Sequence, residues 1–147
     1  MTTKPCKDCL AEGITTRRVA DYPGPRCHTH WRAEKKRRSL VRHGQHVEAD
    51  FGIPARVYWA LYEHQGGRCF VCRKSTGAAR RLAVDHDHRC GAGHPPENGC
   101  PRCCRALICG PCNQMIGWLD VEALKRAIEV LADPPAQKFL RTLNELP

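Results

Sequence analysis

Four C-x2-C pairs constrain this chain more than anything else in it: Cys6/Cys9, Cys69/Cys72, Cys100/Cys103 and Cys109/Cys112, within 147 residues. Two intervening residues let both thiolates face one tetrahedral ion while backbone amides turn toward the sulfurs. A lone pair of this kind also suits redox chemistry. Four of them, with no βαβ pattern around them, point to zinc. The opening segment MTTKPCKDCLAEG has no apolar signal core, and no apolar run approaches a membrane span. The expectation is a chain in a reducing compartment, whose eleven cysteines serve metal rather than disulfides.

The pairs sort into sites. Cys69, Cys72, Cys109 and Cys112 make a four-cysteine set with 36 residues between its halves. Cys6 and Cys9 combine with Cys27-x2-His30 across 17 residues, with His28 as an alternative to His30. Cys100 and Cys103 have no second pair left, and their nearest complements are Cys90 and His94, as C-x3-H-x5-C-x2-C. The competing reading of this third set is a Gly/Pro-rich insertion, GAGHPPENG, with idle thiols. Cys104 is left over.

The formal charge of +9 is unevenly spread. Residues 1–50 hold 11 Lys/Arg against 6 Asp/Glu, residues 51–112 hold 9 against 4, and residues 113–147 hold 4 against 5. A basic body suggests a polyanionic partner, DNA above all. The densest stretch is RAEKKRRSLVRH, residues 32–43, which lacks a helix breaker until Gly44. It reads as a basic helix whose Arg32, Lys35, Lys36, Arg37, Arg38 and Arg42 bind phosphate backbone. The plain alternative is a solvated helix.

Pro54 can open a second helix, PARVYWALYEHQ, which Gly66-Gly67 stops. Its apolar face is Val57, Tyr58, Leu61 and Tyr62. Leu82–Val84 and Ala106–Ile108 read as short strands. A helix is expected from Asn113, weakened by Gly117. Asp120 can cap another, with Val121, Leu124, Ile128 and Leu131 on one stripe. A last short helix over 136–146 carries Phe139, Leu140, Leu143 and Leu146. Both terminal helices are expected to pack on the zinc core or on another subunit.

The first strand runs into Asp85-His86-Asp87-His88, and Asn113 directly follows the last zinc cysteine. Asp85 and Asn113 offer hard oxygen ligands that suit Mg²⁺ or Mn²⁺. His86 offers a nitrogen that takes a proton near neutral pH. A divalent ion plus a general base is what phosphodiester hydrolysis needs. The alternatives are further zinc ligands or a polar turn, but the cysteines already supply enough ligands for zinc.

The segments QGGRCFVC, LAVDHDH and RALICGPCNQMIGWL, spanning Gln65 to Trp118, resemble the recombination endonuclease VII family of phage nucleases, in the HNH or ββα-metal superfamily. The resemblance implies a small α+β, zinc-stabilised fold. Its ββα-metal core would cover residues 65–119, after a zinc knuckle (1–31) and a basic and a second helix (32–64), with C-terminal helices over 120–147. It implies that Asp85 and Asn113 hold the catalytic ion, that His86 is the general base and that His88 contacts the phosphate or assists the leaving group. Structural zinc would sit on Cys69, Cys72, Cys109 and Cys112, and hydrolysis would leave 5′-phosphate and 3′-hydroxyl ends. The founding member cuts branched DNA as a dimer, so a homodimer acting on Holliday junctions, in the cytoplasm of a host bacterium, is implied as well. The chain departs from the family in its long His88–Cys109 link, in Ala106 where glycine is usual, and in lacking evident extended dimerisation helices. The rival from another class is a non-catalytic zinc-ribbon protein that binds nucleic acid. It explains the charge and the cysteines but not Asp85-His86 together with Asn113.

Overall fold

The structure is a computed structural model, and it describes residues 4–14, 18–20 and 24–144. Leu146 of the last expected helix lies outside them. The described residues form a small α+β chain of six helices and a two-stranded sheet. In chain order these are α1 (Lys7–Ala11), α2 (His28–Phe51), α3 (Ala55–His64), β1 (Ala83–His86), β2 (Cys104–Ile108), α4 (Gly110–Trp118), α5 (Val121–Ala132) and α6 (Pro135–Asn144). The chain divides into two compact units, Met1–Leu61 with His86–Cys104, and Tyr62–Asp85 with Arg105–Pro147.

In the first unit α2 is twice the length expected for the basic helix. It starts at His28 and runs through Gly44 to Phe51. Glycine in a helix costs about 1 kcal/mol relative to alanine, which makes it look like a stop. Here it is buried instead, and a Cβ at Gly44 would lie 2.5 Å from the Cβ of Ala55 at the start of α3. Close approach of α2 and α3 requires the missing side chain, a non-local reason that helix propensity does not contain. The true stop is Gly52, left-handed at φ 62°, whose N–H donates to the Glu48 carbonyl. Val47, Ile53 and Tyr58 are buried around this helix pair, and the Tyr58 ring meets His43 and Trp59 edge-on. Val57, expected on the apolar face of α3, is exposed.

In the second unit Leu82, Val84, Leu107 and Ile108 are buried with Cys69 and Cys112. Gln65 is buried too, and its side-chain amide behaves as a piece of strand. Its Nε2 donates to the Leu107 carbonyl at 2.9 Å, and its Oε1 accepts from the Leu107 N–H at 2.9 Å. Helix α4 begins at Gly110 rather than Asn113, because Cys109 is an extended N-cap and Pro111 suits the first turn. Asn113 therefore lies inside α4. Asp120 caps α5 as expected, accepting from the Ala123 N–H at 2.7 Å. Of the α5 stripe, Val121, Ile128 and Leu131 are exposed while Leu124 is half-buried, and Phe139 and Leu140 of α6 are exposed.

Candidate active site and metal clusters

The three expected ligand sets are each drawn together. In each of Cys6/Cys9/Cys27/His30, Cys69/Cys72/Cys109/Cys112 and Cys90/His94/Cys100/Cys103, the ligand atoms lie within 4.8 Å of one another. Their spacing fits zinc. Zn–S bonds of about 2.3 Å in a tetrahedron put sulfurs about 3.8 Å apart, and a nitrogen ligand about 3.5 Å from each sulfur. The Sγ–Sγ distances Cys9–Cys27, Cys72–Cys109 and Cys90–Cys100 are each 3.9 Å. His30 Nδ1 lies 3.3–3.4 Å from the sulfurs of Cys6, Cys9 and Cys27, and His94 Nε2 lies 3.6 Å from that of Cys103. His30, not His28, is the fourth member of the first set, presented by the first turn of α2. None of the eleven cysteines is in a disulfide, and Cys104 belongs to no set.

The thiols in each set are driven apart in acidity. Burial raises Cys6, but backbone amides of Cys27 and Cys9 outweigh it and bring the thiol down to about 6. Burial and the neighbouring thiols push Cys9 up to about 12. In the second set, amides of Ser75 and Lys74 bring Cys72 to about 6, while burial pushes Cys112 to about 12. Crowded sulfurs cannot all ionise unless a cation sits among them, which is how a closed zinc site behaves.

Asp85 and His86 fall within β1, at its end, rather than in a following loop. Asp85 is 8% exposed and accepts a bidentate pair from Arg105 on β2, Nε at 2.7 Å and Nη2 at 3.0 Å. The segment RALICGPCNQMIGWL begins with Arg105, but nothing in it assigned the residue a partner. His86 is 6% exposed, and its environment lies within the first unit. Its Nε2 donates to the Pro96 carbonyl at 3.0 Å. A carbonyl only accepts, so Nε2 carries the proton and the lone pair of the neutral ring is on Nδ1. His88 stacks on the ring with centroids 4.6 Å apart, and Phe51 meets it edge-on. Asp87 accepts from the Arg89 N–H and turns the chain away after the strand.

The basic face of α2 is exposed at Arg32, Lys35, Lys36, Arg37, Arg38 and Arg42. A groove beside it is lined by Arg26, Trp31, Lys35, Arg38 and Arg42, with the Lys35 ammonium 4.9 Å over the Trp31 ring. Glu34 ties back Arg37 and Arg38.

Three Cys/His clusters that could hold zinc, together with a buried Asp85 and His86, are the features against which known sequences are compared. The profile of the recombination endonuclease VII family matches residues 44–133, and the chain belongs to that family, which places it among the nucleases. It is also similar to the Gene 59 proteins of mycobacteriophage D29 (46% identical over 93% of this chain and 78% of that one) and mycobacteriophage L5 (44% identical, over 93% and 79%). No solved structure matches it. Among the described residues, no helix is long and apolar enough to cross a membrane.

Proposed function

We propose that the chain is a metal-dependent DNA endonuclease of the HNH, or ββα-metal, type. The observation that carries this reading is the buried His86, held by a carbonyl at Nε2 in a nuclease-family chain, with Asp85 directly before it. The order β1, β2, α4, with Asn113 on α4 just after Cys109 and Cys112, supports the ββα assignment.

His86 takes a proton from water at Nδ1. The water oxygen attacks phosphorus in line, the bond to the 3′ oxygen breaks, and that oxygen takes a proton from solvent, so that 5′-phosphate and 3′-hydroxyl ends result. Asp85 and Asn113 are the oxygen ligands for Mg²⁺ or Mn²⁺, with Asp85 keeping lone pairs beyond those that Arg105 occupies. When bound, the ion offsets charge on the phosphate and the leaving oxygen. His88, stacked on His86, is placed to contact the phosphate. Zinc on the cysteine clusters is structural. DNA enters along α2, whose exposed cations supply phosphate contacts. Family membership favours branched DNA, Holliday junctions included, as substrate. The exposed Val121, Ile128 and Leu131 of α5 and Phe139 and Leu140 of α6 favour a homodimer.

The test is nicking of supercoiled plasmid in Mg²⁺. His86→Ala should lose on the order of 10²–10⁴ in rate, the range of a general base, with zinc content and DNA affinity intact. Wild-type nicking by His86→Ala would sink the reading. A panel of linear, nicked, flapped and four-way DNA then ranks the substrates, and no preference for the four-way form would remove junction resolution from the proposal.

A further inference from the structure

The Cys90/His94/Cys100/Cys103 cluster sits in the long link after His88, and it does more than close a loop. Three contacts run from this short segment to the residues of the β1 end. The Pro96 carbonyl, two residues after His94, accepts from His86 Nε2 at 3.0 Å. The Cys103 carbonyl accepts from the Asp87 N–H at 3.0 Å. Gly99, directly before Cys100, is pressed against the ring, since a Cβ there would lie 3.2 Å from His86 Cγ and 2.7 Å from Phe51 Cδ1. The Gly99 N–H donates to the Asp50 carbonyl at 3.0 Å, which anchors the segment to the C-terminal end of α2.

The segment itself has little else to hold it. Residues 91–98 are exposed or half-buried and contain no regular element, and Pro95-Pro96 and three glycines of 91–99 offer no apolar anchor. What gathers it is the ligand set, with Cys90 and Cys100 sulfurs 3.9 Å apart and His94 Nε2 3.6 Å from the Cys103 sulfur.

We propose that this cluster binds a zinc ion whose role is to position His86. With the four ligands gathered, the Pro96 carbonyl and the Gly99 backbone are fixed against the ring. That sets which nitrogen carries the proton and where the other one points. Without the ion the segment loosens, the carbonyl leaves Nε2, and the ring samples both tautomers and several orientations. Pro96 and Gly99 are positioning residues, and the cluster acts only through them. The proposal rests on reading His86 as the base for its kinetic part, but the positioning claim stands on geometry alone.

The experiment has two readouts on the full chain. Zinc per chain and the ring ¹⁵N–¹H correlation of His86 are measured beside plasmid nicking for wild type, Cys90→Ser, Cys100→His and Gly99→Ala. Wild type should hold three zinc ions and show a single Nε2–H tautomer. Cys90→Ser should lose one ion, show an averaged His86 ring, and lose on the order of 10² in kcat with KM unchanged, because a mispositioned base forfeits much of the 10²–10⁴ a base supplies. Cys100→His, a Cys2His2 set, should keep the third ion and restore ring signal and rate. Gly99→Ala should keep all three ions and still disturb the ring and slow nicking. If Cys90→Ser loses its zinc yet keeps the wild-type His86 spectrum, the positioning claim is overturned. A wild-type chain with only two ions overturns it too. If the spectrum changes as expected while His86→Ala nicks normally, positioning stands and the base assignment alone fails.

Discussion

The cluster Cys69/Cys72/Cys109/Cys112 and the cluster Cys90/His94/Cys100/Cys103 use nearly the same ligands, yet they stand in the chain in opposite ways. The first joins segments 36 residues apart, while the widest gap in the second is the five residues between His94 and Cys100. Closing the longer gap costs about 1.7 kcal/mol more chain entropy, from the logarithmic dependence on loop length. The long cluster therefore needs the fold around it, and a zinc ion bound there would stabilise that fold in return. Cys69 is fully buried, its sulfur accepts the Cys109 N–H at 3.3 Å, and Leu82, Leu107 and Ile108 are buried in the same unit. The short cluster is less buried and can close as a local knuckle. With zinc in both, one tetrahedral chemistry would serve global stability in one place and local order in the other.

The largest effect separates them directly. A structural zinc is worth on the order of 10–16 kcal/mol in small domains, against total stabilities of about 5–15 kcal/mol. Cys69→Ser should therefore abolish the cooperative melting transition of its unit. Cys90→Ser should lose an ion and keep that transition within a few degrees. Thermal melts followed by circular dichroism, with zinc content, make the comparison, and equal losses in the two variants would break it.

The next effect sharpens the division of labour. Asn113 is carried by α4, whose N-cap Cys109 and first-turn Cys112 are ligands of the long cluster. If Asn113 holds the catalytic ion, Asn113→Ala should slow nicking on the order of 10²-fold, and raised Mg²⁺ should recover part of the loss. If Cys90→Ser disturbs His86 as the base instead, its rate should not respond to Mg²⁺. A Mg²⁺ titration of both rates tells them apart, and a matching response in the two would end the distinction.

The N-terminal cluster adds a third kind of duty. Its His30 lies in the first turn of α2, so the ion there would fix the start of the basic helix. Replacing Lys35, Lys36, Arg37 and Arg38 with Ala should weaken DNA binding tens-fold. The log–log salt slope should fall by up to about 0.9 for each phosphate of duplex DNA that the helix no longer neutralises. Turnover at saturating DNA should hold, and an unchanged slope would show the face to be merely solvated.

What could be read in the sequence follows from the reach of each interaction. Ligand sets were legible because a tetrahedral site needs close pairs, and C-x2-C records that need locally. The Asp120 cap was legible for the same reason, since its partner is three residues on. The length of α2 was not, because Gly44 is tolerated only through Ala55, eleven residues away and on another helix. Pro96 and Gly99 were hidden inside a segment that reads as a spacer, and only the fold brings a carbonyl of that spacer to His86. The Arg105 partner of Asp85 was equally out of reach, because strand register decides it. The helical stripes of α5 and α6 were legible as amphipathic, but periodicity does not say what covers a stripe.

The smallest effect concerns Glu34, the one acidic residue of the basic stretch. Its carboxylate accepts from Arg37 Nε at 2.8 Å and Nη2 at 2.9 Å, and from Arg38 Nε at 2.7 Å. The Arg37 hydrogen bond first, and that of Arg38 after it, hold the carboxyl down to about 2. A depressed folded value means that the stabilising contribution is present above the ordinary carboxylate range and fades only as pH falls toward 2. Glu34 is thus ionised at every pH where nicking is measured and cannot switch the face on or off. Both guanidinium groups are largely exposed, and ion pairs of that sort contribute little to stability. The consequence falls on DNA binding instead. Glu34→Gln removes a negative charge from the helix and releases two arginines toward phosphate. DNA affinity should rise a few-fold and the salt slope should steepen by up to about 0.9 for each further phosphate neutralised, with melting unchanged. A weaker complex would mean that Glu34 orders Arg37 and Arg38 for the backbone, and α2 would then bind through preset geometry rather than through accumulated charge.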